Sequence, residues 1–332
     1  MIALPDDFHA HLRQGPSMGA HARRHALSFG RALVMPNTLP PIVSGEGIKA
    51  YRAEIESAAG NGFVPLMAFK LLPGMSAETV HACAAAGAIV GKYYPAFSTT
   101  NASDGLADPS EAAEALEAMQ VAGLTLCVHA EDPAAPVLER ERAFIPTLER
   151  ILAAYPRLRV AVEHVSSAAL LEFVMASPPR VAASVTAHHL LFTLDDLIGD
   201  GLDPHLYCKP VLKAARDRDA LREALFRGEK KLFFGSDSAP HPRAAKEGNR
   251  SAAGVYSSPT AVAALAGLFD TAGCLGELEP FLSARGAAFH GLAPPVGRLS
   301  LERREWLVPD VLDGAVPMLA GKTLAWSAAR IN

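Results

Sequence analysis

Several short stretches of this chain set metal-binding or proton-moving side chains at the ends of apolar runs. The first is Asp6-Asp7-Phe8-His9-Ala10-His11-Leu12-Arg13. On an extended chain alternate side chains share a face, so His9, His11 and Arg13 fall on one side and the two imidazoles can converge on one ion. The same pattern also fits a surface strand with incidental histidines. Lys92 closes the run Ala-Ile-Val-Gly-Lys-Tyr-Tyr-Pro. A lysine there is costly to bury unless it is paired or modified. Either its head snorkels to solvent, or carbon dioxide converts it to a carbamate with one oxygen for each of two ions. His129 follows Thr-Leu-Cys-Val and His164 follows Val-Ala-Val-Glu. Each alone fits a satisfied core histidine as well as a ligand. Lys-Leu-Phe-Phe-Gly-Ser-Asp237-Ser-Ala-Pro-His241 carries an aspartate off an apolar strand. Asp237 is placed there to bind a metal or move a proton, although a loop cap is the other reading. Pro240 stiffens the loop that presents His241.

Taken together these are four histidines (His9, His11, His129, His164), one lysine and one aspartate at successive strand ends. Separate incidental explanations for all of them do not combine well. Nitrogen and oxygen donors without thiolates favour zinc, with manganese, cobalt or iron as substitutes. Two ions sharing one oxygen-donor ligand can trap a hydroxide, because metal binding lowers the pKa of water to about 7. His188 and His189 close the run Ala-Ser-Val-Thr-Ala, where one can line the pocket. His21, His25, His81, His205 and His290 sit in helical or loop contexts, where a solvated face is the expectation.

The elements that must position these groups are legible as alternation. Strands are expected around Phe8–Leu12 and at Ala32–Met35, Phe63–Phe69, Ala88–Tyr93, Leu124–His129, Arg159–His164, Ala182–Thr186 and Lys231–Gly235. Helix-like segments rich in Ala, Leu and Glu lie between them. Asp108-Pro109-Ser110-Glu111 combines a capping acid, a proline at the first helical position and an acid at the capping-box position, and Gly123 closes that helix. Ser44 and Gly60 bracket another. Such alternation predicts an α/β fold with a parallel sheet. An open doubly wound sheet gathers its ligand at one switch point, whereas a barrel collects chemistry at the C-terminal ends of many strands. The second pattern is the one present, so a single (β/α)8 barrel over residues 1–332 is expected, with the metal site at those ends.

Composition excludes several function classes. The 332 residues are 50% hydrophobic and 20% charged, with a formal net charge of -4. No basic excess points to nucleic acid, and an anionic substrate must be held by a few local cations. Cys83, Cys127, Cys208 and Cys274 form no Cys-x-x-Cys pair, which argues against a zinc ribbon or disulfide framework and fits a reducing cytoplasm. The opening Met-Ile-Ala-Leu-Pro-Asp-Asp lacks the features of a signal peptide, and no apolar run is long enough for a bilayer.

These residues resemble the dihydroorotases of the short bacterial (class II) type, in the amidohydrolase superfamily, over nearly the whole chain. The resemblance is carried by Asp-Asp-Phe-His-Ala-His-Leu-Arg, Val-Met-Pro-Asn37, Gly-Lys92-Tyr-Tyr-Pro-Ala, Val-His129-Ala-Glu, Glu-His164-Val, Pro-His-Leu-Tyr-Cys208 and Gly-Ser-Asp237-Ser-Ala-Pro-His241. It implies reversible cyclisation of N-carbamoyl-L-aspartate to (S)-dihydroorotate in pyrimidine biosynthesis. It also implies a cytoplasmic homodimer with two zinc ions per subunit. His9, His11 and Asp237 would hold one ion and His129 and His164 the other, with carboxylated Lys92 and a hydroxide bridging them and Asp237 shuttling the proton. The small-molecule substrate would be met by His11, Arg13, Asn37, His129 and His241, and by Ala253 and position 209 through backbone atoms. Thr99 and Thr100 resemble a mobile loop that closes over it. The family pattern has leucine after Cys208 where this chain has Lys209. The opening motif, starting at residue 6, leaves no room for the N-terminal part of the small β-sandwich of longer relatives. A hydantoinase or allantoinase-like activity and a non-catalytic dihydroorotase-like subunit are the competing readings. Arg13 and Asn37 suit a carboxylate that hydantoins lack, and a non-catalytic subunit is expected to have lost ligands.

Overall fold

Each apolar run forms a strand and is followed by helical chain that packs back over it. A computed structural model of the protein describes residues 1–60 and 62–331. After a two-residue strand β1 (Ile2–Ala3) come β2 (Asp6–Ala10), β3 (Arg31–Val34), β4 (Val64–Lys70), β5 (Ala88–Tyr93), β6 (Thr125–Val128), β7 (Arg159–Val162), β8 (Val181–Val185) and β9 (Leu232–Phe234). Strands β2 to β9 pair in chain order and are all parallel. They make the barrel expected from the sequence. The helix bracketed by Ser44 and Gly60 spans Gly45–Ala59. The Ser44 hydroxyl accepts from the Gly47 amide, and Gly60 takes a positive φ of 82°. The segment after Asp108 begins as a 3-10 turn, Pro109–Ala112, before the helix Ala113–Ala122.

The seam between β9 and β2 closes through the chain just beyond the strands. The Asp237 amide donates to the His9 carbonyl at 2.8 Å, and the His11 amide to the Ser238 carbonyl at 3.0 Å. Asp7 staples this seam from inside. Its Oδ1 accepts from the amides of Ser236 (2.7 Å) and His9 (3.0 Å), and its Oδ2 lies 3.1 Å from His25 Nε2. Gly235 permits the close approach, since a Cβ there would sit 3.0 Å from the Cβ atoms of both His9 and Ser184.

The barrel interior is packed, not hollow. Phe8 and Phe233 meet edge-on at 5.5 Å among Leu33, Leu66, Val90 and small wall residues such as Ala161 and Ala182. His290 stacks on Phe8 at 4.9 Å. His21, His25 and His290 are therefore buried, contrary to the solvated faces expected for them. His25 is recruited by the Asp7 carboxylate and His290 by the aromatic floor, neither of which is visible in local sequence. His81 is exposed, as expected.

The C-terminal region adds strands that the sequence reading did not name. β10 (Arg298–Glu302) pairs antiparallel with β1 and with β13 (Ser327–Ile331), and β11 (Trp306–Leu307) pairs with β12 (Thr323–Leu324). Short, part-exposed strands carry little alternation to read. The two residues of β1 supply an edge to this sheet even though the opening motif follows at once. Among the described residues no helix is long and apolar enough to cross a membrane.

Candidate active site

The C-terminal ends of five barrel strands deliver the expected ligands to one place. His9 is the penultimate residue of β2 and His11 follows the strand, Lys92 lies in β5, His129 directly follows β6, His164 lies just past β7, and Asp237 just past β9. His9 Nε2 and His11 Nε2 are 3.3 Å apart and lie 3.4 and 3.2 Å from the same Asp237 oxygen. His129 Nδ1 is 3.1 Å from His164 Nε2, and the rings of His9 and His164 lie 5.0 Å apart. His164, Asp237 and Arg13 all take positive φ, at 43°, 43° and 66°. For residues other than glycine this costs on the order of 1–3 kcal/mol each. The backbone is held there by bonds from the His164 amide to Ser184 Oγ (2.8 Å) and from the Asp237 amide to His9. The bend ends β7 at Val162, two residues before the expected His164, and turns each side chain into the barrel mouth.

Burial sets the protonation of this group. It pushes the imidazoles of His9, His11 and His164 below their usual pKa, so they are neutral and can donate lone pairs. Burial alone would raise the Asp237 carboxyl, but the His11 hydrogen bond and the surrounding imidazoles outweigh it and hold it far below the carboxylate range. Lys92 is 0% exposed, not snorkelling, and burial pushes its ammonium down to about 7. Free amine is the form that takes up carbon dioxide. Ligand atoms of His9, His11 and Asp237, and separately of His9, Glu163 and His164, lie within 4.8 Å of one another. Among the described residues, Lys92 Nζ and His164 Nδ1 are buried without a hydrogen-bond partner. Neutral imidazoles with free lone pairs beside an ionised carboxylate fit divalent cations.

On the substrate side, a small, narrow cavity is lined by the four histidines and Asp237, and by Arg13, Asn37, Thr99, Thr100, Lys209 and Ala253. His241 is not in that lining. Its Nε2 meets Arg13 at 2.8 Å and the Ala253 carbonyl at 3.0 Å, and burial followed by the Arg13 charge pushes its pKa down to about 3. The Thr99–Thr100 loop is drawn over the cavity. Asn37 Nδ2 donates to the Thr100 carbonyl at 3.1 Å, and Asn101 Nδ2 returns a bond to the Asn37 carbonyl at 2.9 Å. Buried Lys70, at the end of β4, holds the same loop by donating to the Asn101 carbonyl at 2.8 Å and pairing with Asp104.

Sequence reading missed several groups here. Glu131 Oε2 lies 2.9 Å from His129 Nε2. Burial pulls its carboxyl up, yet the His129 hydrogen bond and nearby cations bring it below its usual value. Glu163 reaches His9 and Lys92. Both glutamates neighbour a histidine ligand in sequence, and that adjacency was the available signal. Tyr94 lines the cavity, with its hydroxyl buried and unpartnered. Lys246 donates to the carbonyls of Tyr207, Ala252 and Gly254 at 2.9, 2.9 and 2.7 Å, which fixes the backbone around Ala253. His188 and His189 are buried beside Cys208. His189 is satisfied by Thr186 Oγ1 and the Pro210 carbonyl, whereas neither His188 nitrogen has a partner.

The amidohydrolase family model matches residues 7–311. A dihydroorotase from Teredinibacter turnerae is 40% identical over 334 residues, covering 98% of this chain and 97% of its own. Among solved structures, dihydroorotase from Saccharomyces cerevisiae in complex with 5-fluoroorotic acid superimposes with a TM-score of 0.93 at 31% identity, covering 99% of this chain and 97% of that one. Dihydroorotase from Campylobacter jejuni gives a TM-score of 0.91 at 35% identity, covering 98% and 96%.

Proposed function

The chain belongs to the amidohydrolase family, among its dihydroorotases, and on that premise we propose that it interconverts dihydroorotate and N-carbamoyl-L-aspartate at a two-zinc centre in this cavity. His9, His11 and Asp237 would hold one ion and His129 and His164 the other, with N6-carboxylated Lys92 shared between them. When bound, the ions supply a nucleophile at neutral pH from water and polarise the amide carbonyl.

The chain's own residues account for the remaining steps. Arg13 and Asn37 face the cavity and orient the substrate carboxylate, and His241 braces Arg13 from behind. The backbone around Ala253 and Lys209 contacts the ring. In ring opening, the ionised Asp237 carboxylate accepts the proton of the attacking water and delivers it to the leaving amide nitrogen. In closure it takes the proton from the carbamoyl nitrogen and returns it to the departing oxygen. The Thr99–Thr100 loop, seated on Asn37, excludes water while this occurs.

The observation that carries this reading is the convergence of Asp237, the paired imidazoles and Arg13 on one cavity. It also separates the reading from its rivals. A hydantoinase-like activity has no carboxylate for Arg13 to hold, and a non-catalytic subunit has no need of a full ligand set. We read residues 1–332 as one catalytic domain. Scattered free thiols support a cytoplasmic setting, and a homodimer is the assembly the family resemblance implies.

The test is ring opening of L-dihydroorotate by purified protein, before and after metal stripping and zinc restoration. Activity lost on stripping and regained with zinc supports substrate and metal together. A zinc-restored protein inactive in both directions would sink the assignment and leave the barrel standing.

A further inference from the structure

Glu163 has no part in the mechanism above, yet its carboxylate is fully enclosed beside the metal centre. Its side chain is 1% exposed. Oε1 lies 3.0 Å from His9 Nδ1, and Oε2 lies against Lys92 Nζ. Among the described residues neither oxygen, nor His9 Nδ1 nor Lys92 Nζ, has a hydrogen-bond partner, so close charge contact is what joins them. A buried carboxylate costs several kcal/mol unless charged or N–H partners answer it, so its two neighbours define what it is there for.

The side from which it approaches matters. Glu163 meets His9 at Nδ1, while His9 Nε2 faces Asp237 at 3.4 Å and His11 Nε2 at 3.3 Å. The carboxylate therefore sits behind the ring and acts through it. A proton drawn to Nδ1 leaves the Nε2 lone pair pointing at the ion. Its other oxygen does the same service for Lys92. Carboxylation joins the Lys92 amine to carbon dioxide, forms one N–C bond, releases one proton to water and leaves one N–H on Nζ. That remaining N–H would face Glu163 Oε2, which would fix the orientation of the carbamate.

We propose that Glu163 is a positioning residue that sets the His9 tautomer and the Lys92 carbamate at once, coupling one ion's histidine ligand to the group shared by both ions. This rests on the two-zinc reading given above. Glu131 does the corresponding work for His129 alone, through the 2.9 Å bond to Nε2, so the two glutamates serve as controls for each other.

The experiment uses zinc-loaded wild type, Glu163→Gln, Glu163→Leu and Glu131→Gln. Zinc release to a chelator is followed per chain, and the carbamate is read as a 13C signal after equilibration with labelled bicarbonate. Glu163→Leu should release zinc about 10–100-fold more readily and lose most of the carbamate signal. Glu163→Gln, which keeps one acceptor oxygen, should fall between. Glu131→Gln should weaken zinc binding and keep the carbamate. Wild-type zinc retention and carbamate signal in Glu163→Leu would overturn the proposal. If that variant does not fold, Glu163→Gln decides, and a wild-type carbamate signal with wild-type zinc release there overturns it equally. A merely structural glutamate would lower the melting temperature of the stripped protein without moving the carbamate signal per folded chain. Wild type that holds neither zinc nor carbamate would instead remove the two-zinc reading itself, and that arm is read before any variant.

Discussion

Asp237 donates its backbone amide to the His9 carbonyl at 2.8 Å while its carboxylate lies 3.4 Å from the His9 imidazole. Barrel closure and chemistry therefore pass through the same two residues by different atoms. Main-chain atoms join the last strand to the first, and side-chain atoms face the cavity. A side-chain substitution can then remove the chemistry without opening the seam.

Asp237→Asn should accordingly fold with a melting temperature near that of wild type and lose ring opening by about 10²–10⁴-fold, the range of a positioned acid–base group. Turnover should be measured with zinc content alongside, because the carboxylate is also a proposed ligand. Near-normal turnover with both ions retained would rule out the proton shuttle. An intact loss of kcat in protein that keeps its zinc would support it.

Lys70 should govern the loop over the cavity. It is buried, donates to the Asn101 carbonyl and pairs with Asp104, and Asn101 in turn bonds the Asn37 carbonyl. A charge-assisted hydrogen bond is worth about 1.5 kcal/mol or more, which is roughly tenfold. Lys70→Met should lower kcat/KM for dihydroorotate about tenfold, mainly through KM, and speed proteolytic cleavage between residues 97 and 106. Unchanged kinetics and cleavage would mean that Asn37 alone seats the loop.

The barrel and the convergence of the candidate ligands were legible because each candidate lies at or near the end of an apolar run, and a run of strand length fixes where its end must point. His129 and Lys92 alone fitted a core histidine and a snorkelling lysine, and drew their reading from the other strand ends. The groups packed behind the candidate ligands were not legible, since their meaning depends on a partner far along the chain. Asp7 reads as one of two adjacent acids until Ser236 and His25 close on it. Glu163 reads as a polar residue before a histidine until β2 and β5 bring His9 and Lys92 to it. The positive φ of His164 and Asp237 was also hidden, because that conformation is uncommon even for histidine and aspartate, which tolerate it better than most. Tertiary hydrogen bonds impose it.

Lys209 stands where the resembling family has leucine. Its half-buried side chain lines the cavity, and burial lowers its pKa, with Glu131 nearby acting against that. Carbamoyl-aspartate carries two carboxylates and dihydroorotate one, so an extra cation favours the open form. Half-exposed charge pairs are worth about 1 kcal/mol at most, or roughly fivefold. Lys209→Leu should raise KM for carbamoyl-aspartate by up to about fivefold, and for dihydroorotate less than about twofold. Since the reaction equilibrium fixes the ratio of the two kcat/KM values, kcat for closure should rise along with its KM. Added salt should shrink the difference. Equal changes in both KM values would show that the ammonium points away from the second carboxylate.

His290 should make the barrel floor acid-sensitive. It stacks on Phe8, with Phe233 and Phe289 around it, and neither ring nitrogen has a hydrogen-bond partner among the described residues. Burial, aided by the Arg159 charge, pushes its pKa down to about 3. The folded protein then binds fewer protons than the unfolded chain between about pH 3 and pH 6.5, so stability rises with pH across that window and is lost on acidification. The full shift corresponds to up to about 5 kcal/mol by pH 3. His290→Phe keeps an aromatic ring against Phe8 and removes the titrating group. In denaturant titrations of metal-stripped protein, wild type should lose stability more steeply than the variant from pH 6.5 downward, and the two should run parallel above pH 7. Parallel curves throughout would mean that the floor opens to admit water before His290 charges.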